Sequence, residues 1–252
     1  MSQQEFVAAQ YAPRAADYVS SAVHAAGVDL DRIDALLAQR ADAVVLDLGC
    51  GGGHVSYRAA AHVKQVVAVD VTAAMLDQVA ANAAARGLSN IETRQAAAEA
   101  LPFEAGFFDV VLCRFTAHHW QDFAAGLREA RRVIKPGGFA VFIDTVAPAA
   151  RVLDTHLQVM ELLRDPSHVR NYTMPEWGAE LARAGFAVHG TMVRRMRMEF
   201  AEWAARTRTP EDMMVAILHV QRKAPDAVRD YFNIEEDGSF ELEAAMFELR
   251  AV

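Results

Sequence analysis

Val44–Ser56 reads V-V-L-D-L-G-C-G-G-G-H-V-S, an apolar run that breaks into glycines and then into helix-compatible residues. This order predicts a buried parallel strand turning sharply into a helix. Gly49, Gly51, Gly52 and Gly53 carry no Cβ, so a ligand can lie against bare backbone N–H and C=O groups, with Asp47 in front of the turn. Asp70 follows the glycines by roughly twenty residues, where an acidic side chain can accept ribose hydroxyls. Helix capping ahead of Thr72 is the competing account for Asp70, and Glu99 either meets an adenine edge or caps the next segment. A dinucleotide pattern G-x-G-x-x-G would need glycine at position 54, where His54 stands, and no G-K-[ST] follows. The pattern therefore favours a cofactor with ribose and adenine but no pyrophosphate, its cationic amino group facing Asp47 and the loop carbonyls. His118 and His119 are the candidate catalytic bases, because imidazole titrates near neutrality. The competing account has one histidine capping the helix near Asp122 and the other hydrogen-bonding in the core. Adjacent side chains diverge and no third ligand has a recognisable spacing, so no metal site is expected.

These residues need a scaffold that brings them together, and the periodicity supplies one. Residues 3–40 read as two or three helices, with Gly27 ending one segment and Asp29 capping the next. Strands are expected at Val44–Leu48, Gln65–Asp70, Ile91–Gln95, Asp109–Cys113 and Phe139–Asp144. Helices are expected after the glycines to about His62, from Thr72 to Arg86, and over Asp122–Ile134. Lys135-Pro136-Gly137-Gly138 reads as a turn between the last helix and strand. Such alternation predicts an α/β fold with a doubly wound, mostly parallel, Rossmann-like sheet. Ligands then lie beyond the carboxyl ends of the strands, where Asp47–Gly53, Asp70, Ala98–Glu99, Arg114 and Asp144 converge. Beyond Pro148 the pattern gives helices at Val152–Arg164 and Glu176–Ala184, strand material at Phe186–Phe200, and helix over Trp203–Ala224 broken near Pro210. Phe240–Arg250 is expected as a terminal antiparallel strand against the sheet edge. The chain is read as one domain: residues 1–40 a helical N-terminal cap, 41–147 the cofactor-binding core, and 148–252 a substrate cap that completes a seven-stranded sheet.

A chain of 252 residues with 53% hydrophobic content can fill such a core. The net charge of −8 argues against a nonspecific hold on nucleic acid phosphates. Cys50 and Cys113 fall in or beside strands, as reduced thiols would. The opening M-S-Q-Q-E has no basic or apolar leader character, and no run is long enough to span a bilayer, so a cytoplasmic protein is expected.

D-L-G-C-G-G-G, the A-V-D ending at Asp70, A-E-A-L-P-F at Ala98–Phe103, F-D-V-V-L-C-R and I-K-P-G-G together resemble class I S-adenosylmethionine-dependent methyltransferases, in the branch named for UbiE. C-R-F-T-A-H-H-W at Cys113–Trp120 and L-R-D-P-S-H-V-R-N-Y at Leu163–Tyr172 are similar to the bacterial YafE/YcgJ-type members. The resemblance implies S-adenosyl-L-methionine as cofactor and S-adenosyl-L-homocysteine as product. It implies that Asp47, Gly49, Cys50, Gly51 and Gly53 line the methionine part, that Asp70 holds the ribose, that Val71 and Met75 flank the adenine with Ala98 and Glu99 at its polar edge, and that Arg114 sits near the methionine end. Tyr11 and Tyr18 would close over the cofactor, with core packing as the competing account. One departure is Ala97, where the family often carries the acid of G-D-A-E.

A sulfonium is already an activated methyl donor, so alignment is the main demand, with a base needed only where the acceptor must lose a proton. Arg164, His168, Arg170, Asn171 and Tyr172 form a polar cluster that either recognises an anionic or oxygen-rich acceptor or, the favoured account, is a solvated loop, and Met192, Met196 and Met198 are read as packing. The expected function is transfer of a methyl group by SN2 to O, N or C of a small molecule. The alternative is a protein that binds the cofactor without catalysis. As partners the reading allows a small-molecule acceptor and a second copy of the chain, and neither nucleic acid nor membrane.

Overall fold

The computed structural model describes residues 1–15 and 27–252. Helix α1 (Gln3–Tyr11) opens with a capping box between Ser2 and Glu5. Helix α2 (Val28–Leu37) precedes strand β1 (Val44–Leu48), α3 (His54–Ala60), β2 (Gln65–Asp70), α4 (Ala73–Ala85), β3 (Ile91–Gln95) and β4 (Phe108–Arg114). Then come α5 (Phe123–Val133), β5 (Ile134–Val146), α6 (Arg151–Arg164), α7 (Met174–Ala184), β6 (Phe186–Met198), α8 (Phe200–Arg206), α9 (Glu211–Lys223), α10 (Asp226–Phe232) and β7 (Phe240–Ala251).

The seven strands form one sheet in the order β3-β2-β1-β4-β5-β7-β6, parallel except that β7 runs antiparallel to both its neighbours. Strand order reverses between β1 and β4, so the crevice of an open α/β sheet lies at their carboxyl ends. Alternation along the strands divides the core between the two faces. Leu46, Leu48, Val111, Cys113 and Phe142 pack with α5 and α7, while Val45, Val110, Leu112, Val141 and Ile143 pack with α2 and α3. A further cluster joins α6, α8, α9 and α10 around Phe240, Leu242 and Met198, where β6 and β7 run on past the end of β5.

Four expectations are corrected. Phe240–Ala251 is not at the sheet edge: β7 is interior, apolar enough to be covered, and the arginine-rich β6 takes the edge, where charge guards unpaired backbone groups. Lys135–Gly138 is not a turn between elements. Ile134 already pairs with Phe108 and the ladder resumes at Val110 with Phe139, so the four residues bulge from a continuous β5. Asp29 does not cap α2. Gly27 is its N-cap, and Asp29 lies in the first turn, fully buried. Helix α7 starts at Met174, two residues early, because Thr173 and Glu176 form a capping box.

Candidate active site

The turn after β1 holds the first half of the site. Gly49 has φ +71°, and the N–H groups of Gly49 and Cys50 both donate to the Val69 carbonyl, at 2.8 and 2.9 Å. The Gly51 N–H donates to Asp70 Oδ2 at 2.9 Å and the Thr72 N–H to Asp70 Oδ1 at 2.8 Å, so one carboxylate fixes the loop to the end of β2. Burial pushes the Asp70 carboxyl up, and the backbone donors of Thr72 and Gly51 oppose that. The glycines differ in purpose. A Cβ on Gly49 would stand 2.4 Å from Thr116 Oγ1, and one on Gly53 2.7 Å from the Tyr57 ring, whereas one on Gly51 would meet nothing within 4 Å.

That open space belongs to a cavity of about 420 Å³. Gly49, Gly51, Asp70, Val71, Met75, Ala98, Glu99 and Arg114 line it, as the sequence reading anticipated for a common site. Glu99 does double duty, because its Oε1 also accepts from the Gln121 and Asp122 N–H groups at 2.8 and 3.3 Å. Asp47, Cys50, Gly53 and Ala97 are not in the cavity wall. For Asp47 the reason is strand parity: it shares the face of Val45, toward α3, where it accepts from Ser56 Oγ at 2.6 Å. Burial raises the Asp47 pKa to about 7, with Ser56 opposing. Gly53 serves the packing of Tyr57 and Val79 and is the left-handed N-cap of α3. Tyr18 lies outside the described residues. Arg114 donates from Nε to Asp29 Oδ2 at 2.6 Å, and Arg194 Nη2 is 3.2 Å from Asp29 Oδ1. The buried acid of α2 is thus an ionic partner, a role its position in the sequence did not reveal.

The second half is built on a single 3₁₀ turn, Ala117–His119, after β4. His118 Nδ1 is 2.6 Å from Asp144 Oδ1, and its backbone N–H donates to Asp144 Oδ2 at 3.2 Å. Burial alone would lower the His118 pKa, but the Asp144 carboxylate outweighs it and the net shift is upward. His119 is different. Burial and the neighbouring His118 bring its pKa to about 4, and its Nε2 lies 3.0 Å from Tyr11 Oη, which donates to Asp165 Oδ2 at 2.6 Å. Neither histidine caps α5, because Asp122 does so itself through the Ala125 N–H. Asp144, one of the converging strand ends, is thus the partner of His118, a pairing that their spacing in the sequence does not reveal.

The segment between α6 and α7 is not a solvated loop. His168 and Asn171 are buried, and the Val169 and Arg170 N–H groups donate to the His118 carbonyl at 2.8 and 3.1 Å. The His168 ring lies tilted 5.7 Å from that of His118, its Nε2 bonded to Gln158 Oε1, and burial pushes its pKa down to about 2. Gln158, not singled out in the sequence, is the half-buried hub that makes this segment a wall. Met196 and Met198 face the cavity, and Met192 packs in the core beside α2 and α3. Among the described residues no group of His, Cys, Asp or Glu could hold a metal ion, although three histidines gather here.

Residues 46–142 match the family model described as a methyltransferase domain. The chain is 45% identical over 192 residues to the uncharacterized Escherichia coli (strain K12) protein YafE, covering 76% of this chain and 93% of that one. It is 34% identical over 217 residues to the uncharacterized methyltransferase YcgJ of Bacillus subtilis (strain 168), covering 86% of each. The chain belongs to the S-adenosylmethionine-dependent methyltransferases. The crystal structure of YcgJ superposes on this methyltransferase with a TM-score of 0.85 at 32% identity, covering 88% of this chain and 97% of the other. A ubiquinone/menaquinone biosynthesis C-methyltransferase UbiE, from Coxiella burnetii (strain Dugway 5J108-111), matches a shorter stretch of 120 residues at 37% identity, 48% of its length.

The residues of this methyltransferase fit its cofactor. Open space over Gly51 admits a ligand to bare backbone, an acidic group of fixed orientation stands beside it at Asp70, and the apolar side chains of Val71, Met75 and Ala98 offer a slot for a heterocycle.

Proposed function

We propose that this enzyme methylates O, N or C of a small molecule, with its cofactor held by Gly51, Asp70, Val71, Met75, Ala98 and Glu99 and its acceptor beside His118. The single observation that supports this reading is the continuity of one cavity from Gly51 and Asp70 to His118, Glu161 and Trp203. When bound, S-adenosylmethionine supplies an electrophilic methyl group, so the chain need only align the acceptor and take up a proton where one must leave. Asp144 engages His118 at Nδ1, which leaves Nε2 as the proton acceptor. Asp144 also stabilises the imidazolium that forms, as a carboxylate behind a catalytic histidine does. His119 stays neutral and holds Tyr11 of α1 against the wall. In this reading residues 1–252 form one functional unit, 41–147 for the cofactor and 148–252 for the acceptor. Cys50 and Cys113, both free and buried, support a cytoplasmic setting, and no helix among the described residues is long and apolar enough to cross a membrane.

The test is incubation with methyl-tritiated S-adenosylmethionine and a bacterial extract split by size. Label is expected in the small-molecule fraction and lost with His118→Ala. Label confined to protein or RNA would overturn the proposal.

A further inference from the structure

Behind His118 the protons of three histidines are ordered by neighbours of fixed chemistry. The Gln158 amide of α6 accepts at Oε1 from the Asn171 N–H, at 3.0 Å, and donates from Nε2 to the Asn171 carbonyl at 2.8 Å and to Asp154 Oδ1 at 2.7 Å. A backbone N–H can only donate, and a carbonyl or an ionised carboxylate can only accept, so the amide has one orientation. Its Oε1 also lies 2.9 Å from His168 Nε2, and that nitrogen must therefore carry a proton. Asp144 Oδ1, 2.6 Å from His118 Nδ1, places the His118 proton there, and the Ser167 carbonyl, 3.2 Å from His119 Nδ1, does the same for His119. The His118 ring centroid lies 4.2 Å from that of His119 and 5.7 Å from that of His168, so a charge on one ring disfavours a charge on its neighbours. His118 meets a carboxylate directly, whereas His119 meets a carbonyl and His168 an amide. The other charged groups around the cluster are Glu161 and Arg164 of α6 and Asp165, whose carboxylate accepts from Tyr11 and Ser167.

The same amide holds the chain on which the contact of His118 with Asp144 depends. Gln158 grips the Asn171 backbone on both sides, and Arg170 Nη2 donates to Asp154 Oδ2 at 2.8 Å, which ties the segment to α6 a second time. At one end of the segment the Val169 and Arg170 N–H groups donate to the His118 carbonyl. At the other the Tyr172 carbonyl accepts from the Ala147 N–H at 3.1 Å, just beyond β5, the strand that carries Asp144. One short segment thus bridges the backbone of His118 to the strand of its partner, and Gln158 sits at the middle of the bridge.

We propose that Gln158 is a positioning residue for the methyl transfer. Its amide keeps His168 in the Nε2–H form and locks Asn171, and the segment so fixed holds the His118 ring on Asp144 with Nε2 bare for the acceptor's proton. When that proton passes to Nε2, His118 becomes an imidazolium balanced by Asp144 and flanked by two uncharged rings. A neutral amide suits the place, because a carboxylate there would draw a second proton onto His168 and oppose the charge that His118 must take up. The proposal rests on the reading of His118 as the base.

The full chain, labelled with 15N-histidine, is followed by long-range 1H–15N correlation across the histidine titration range, with His118→Gln and His168→Gln to assign the rings. In the wild type His168 is expected in the Nε2–H form and His118 in the Nδ1–H form, with the His118 midpoint above that of a free histidine. Gln158→Met should mix the two forms of His168 and lower the His118 midpoint by about 0.5 pH unit or more, roughly threefold in proton affinity. Gln158→Glu, which keeps the acceptor, should retain the Nε2–H form and let His168 charge at higher pH. Wild-type His168 protonated on Nδ1, or a mixed or unshifted His168 in Gln158→Glu, would overturn the proposal, and both readings stand whether or not Gln158→Met folds. A Gln158→Met protein that melts earlier while the His168 form and the His118 midpoint stay in place would overturn it too, as the mark of a merely structural residue. Methyl transfer undiminished in His118→Ala would instead count against the proposed function, and the spectra, which need no acceptor, are read independently of it.

Discussion

Gly51→Ala separates the role of the glycine loop in binding from its role in folding. Gly51 has φ +48°, and a Cβ added there meets no atom of the protein within 4 Å. The fold therefore bears only the left-handed backbone penalty of an L-residue, about 1–2 kcal/mol, less the roughly 0.4–1 kcal/mol that alanine gains by restricting the unfolded chain. A net loss of about 1 kcal/mol lowers the melting temperature by about 2–4 °C in a chain of this size. The new methyl group, however, projects into the cavity proposed to hold the cofactor. S-adenosylhomocysteine affinity should fall by at least about tenfold, or 1.4 kcal/mol. Gly87→Ala is the matched control, because Gly87 has φ +71°, its Cβ would also meet nothing within 4 Å, and it lies outside the cavity wall. Calorimetry for affinity and thermal melts for stability should show similar melting shifts in the two variants and a binding defect only in Gly51→Ala. Affinity in Gly51→Ala within about threefold of wild type, roughly 0.7 kcal/mol, would refute the claim that a ligand lies on that backbone.

The pH dependence of turnover tests the base. His118 must be neutral to accept a proton, and Asp144 raises its pKa, so wild-type kcat should rise with pH through a limb above the ordinary histidine value. In Asp144→Asn burial is opposed only by the more distant carboxylates of Glu161 and Asp165, and the limb should move to lower pH while the plateau falls; an unmoved limb in extract-based methyl transfer would exclude the pair from the mechanism. Stability has its own pH signature. His168 is held neutral, with a folded pKa of about 2 against 6.5 unfolded, so the unfolded chain alone takes up the proton as pH falls below 6.5. Folding free energy should therefore drop from pH 6.5 to 4 by up to about 1.4 kcal/mol per pH unit on account of this group, and His168→Gln should flatten the slope in urea titrations.

Much of the cofactor half was legible because it is local. One apolar run, one glycine turn and an acid at the end of the next strand suffice, and β1, β2 and β3 fall where periodicity put them. Asp47 lies outside the cavity wall because its direction depends on which face of β1 meets α3, a tertiary fact. The acceptor half was far less legible. Asp29 reads as a helix cap until Arg114, eighty-five positions away, is found against it, and Arg164–Tyr172 reads as solvated until Gln158 and His118 are seen bonding its backbone. The three methionines of β6 alternate identically in sequence, and only the extension of β6 and β7 past β5 turns Met196 and Met198 into a floor.

Titration of the protein with S-adenosylhomocysteine, in wild type and in Asp70→Ala, addresses the central claim most directly. Asp70 accepts the Gly51 and Thr72 N–H groups and lies in the cavity wall, so its loss removes both an anchor of the loop and an acceptor for the ligand. One-site binding in the micromolar range is expected, weakened at least about tenfold, or 1.4 kcal/mol, by Asp70→Ala. No binding to the wild-type chain, or binding indifferent to Asp70, would contradict it.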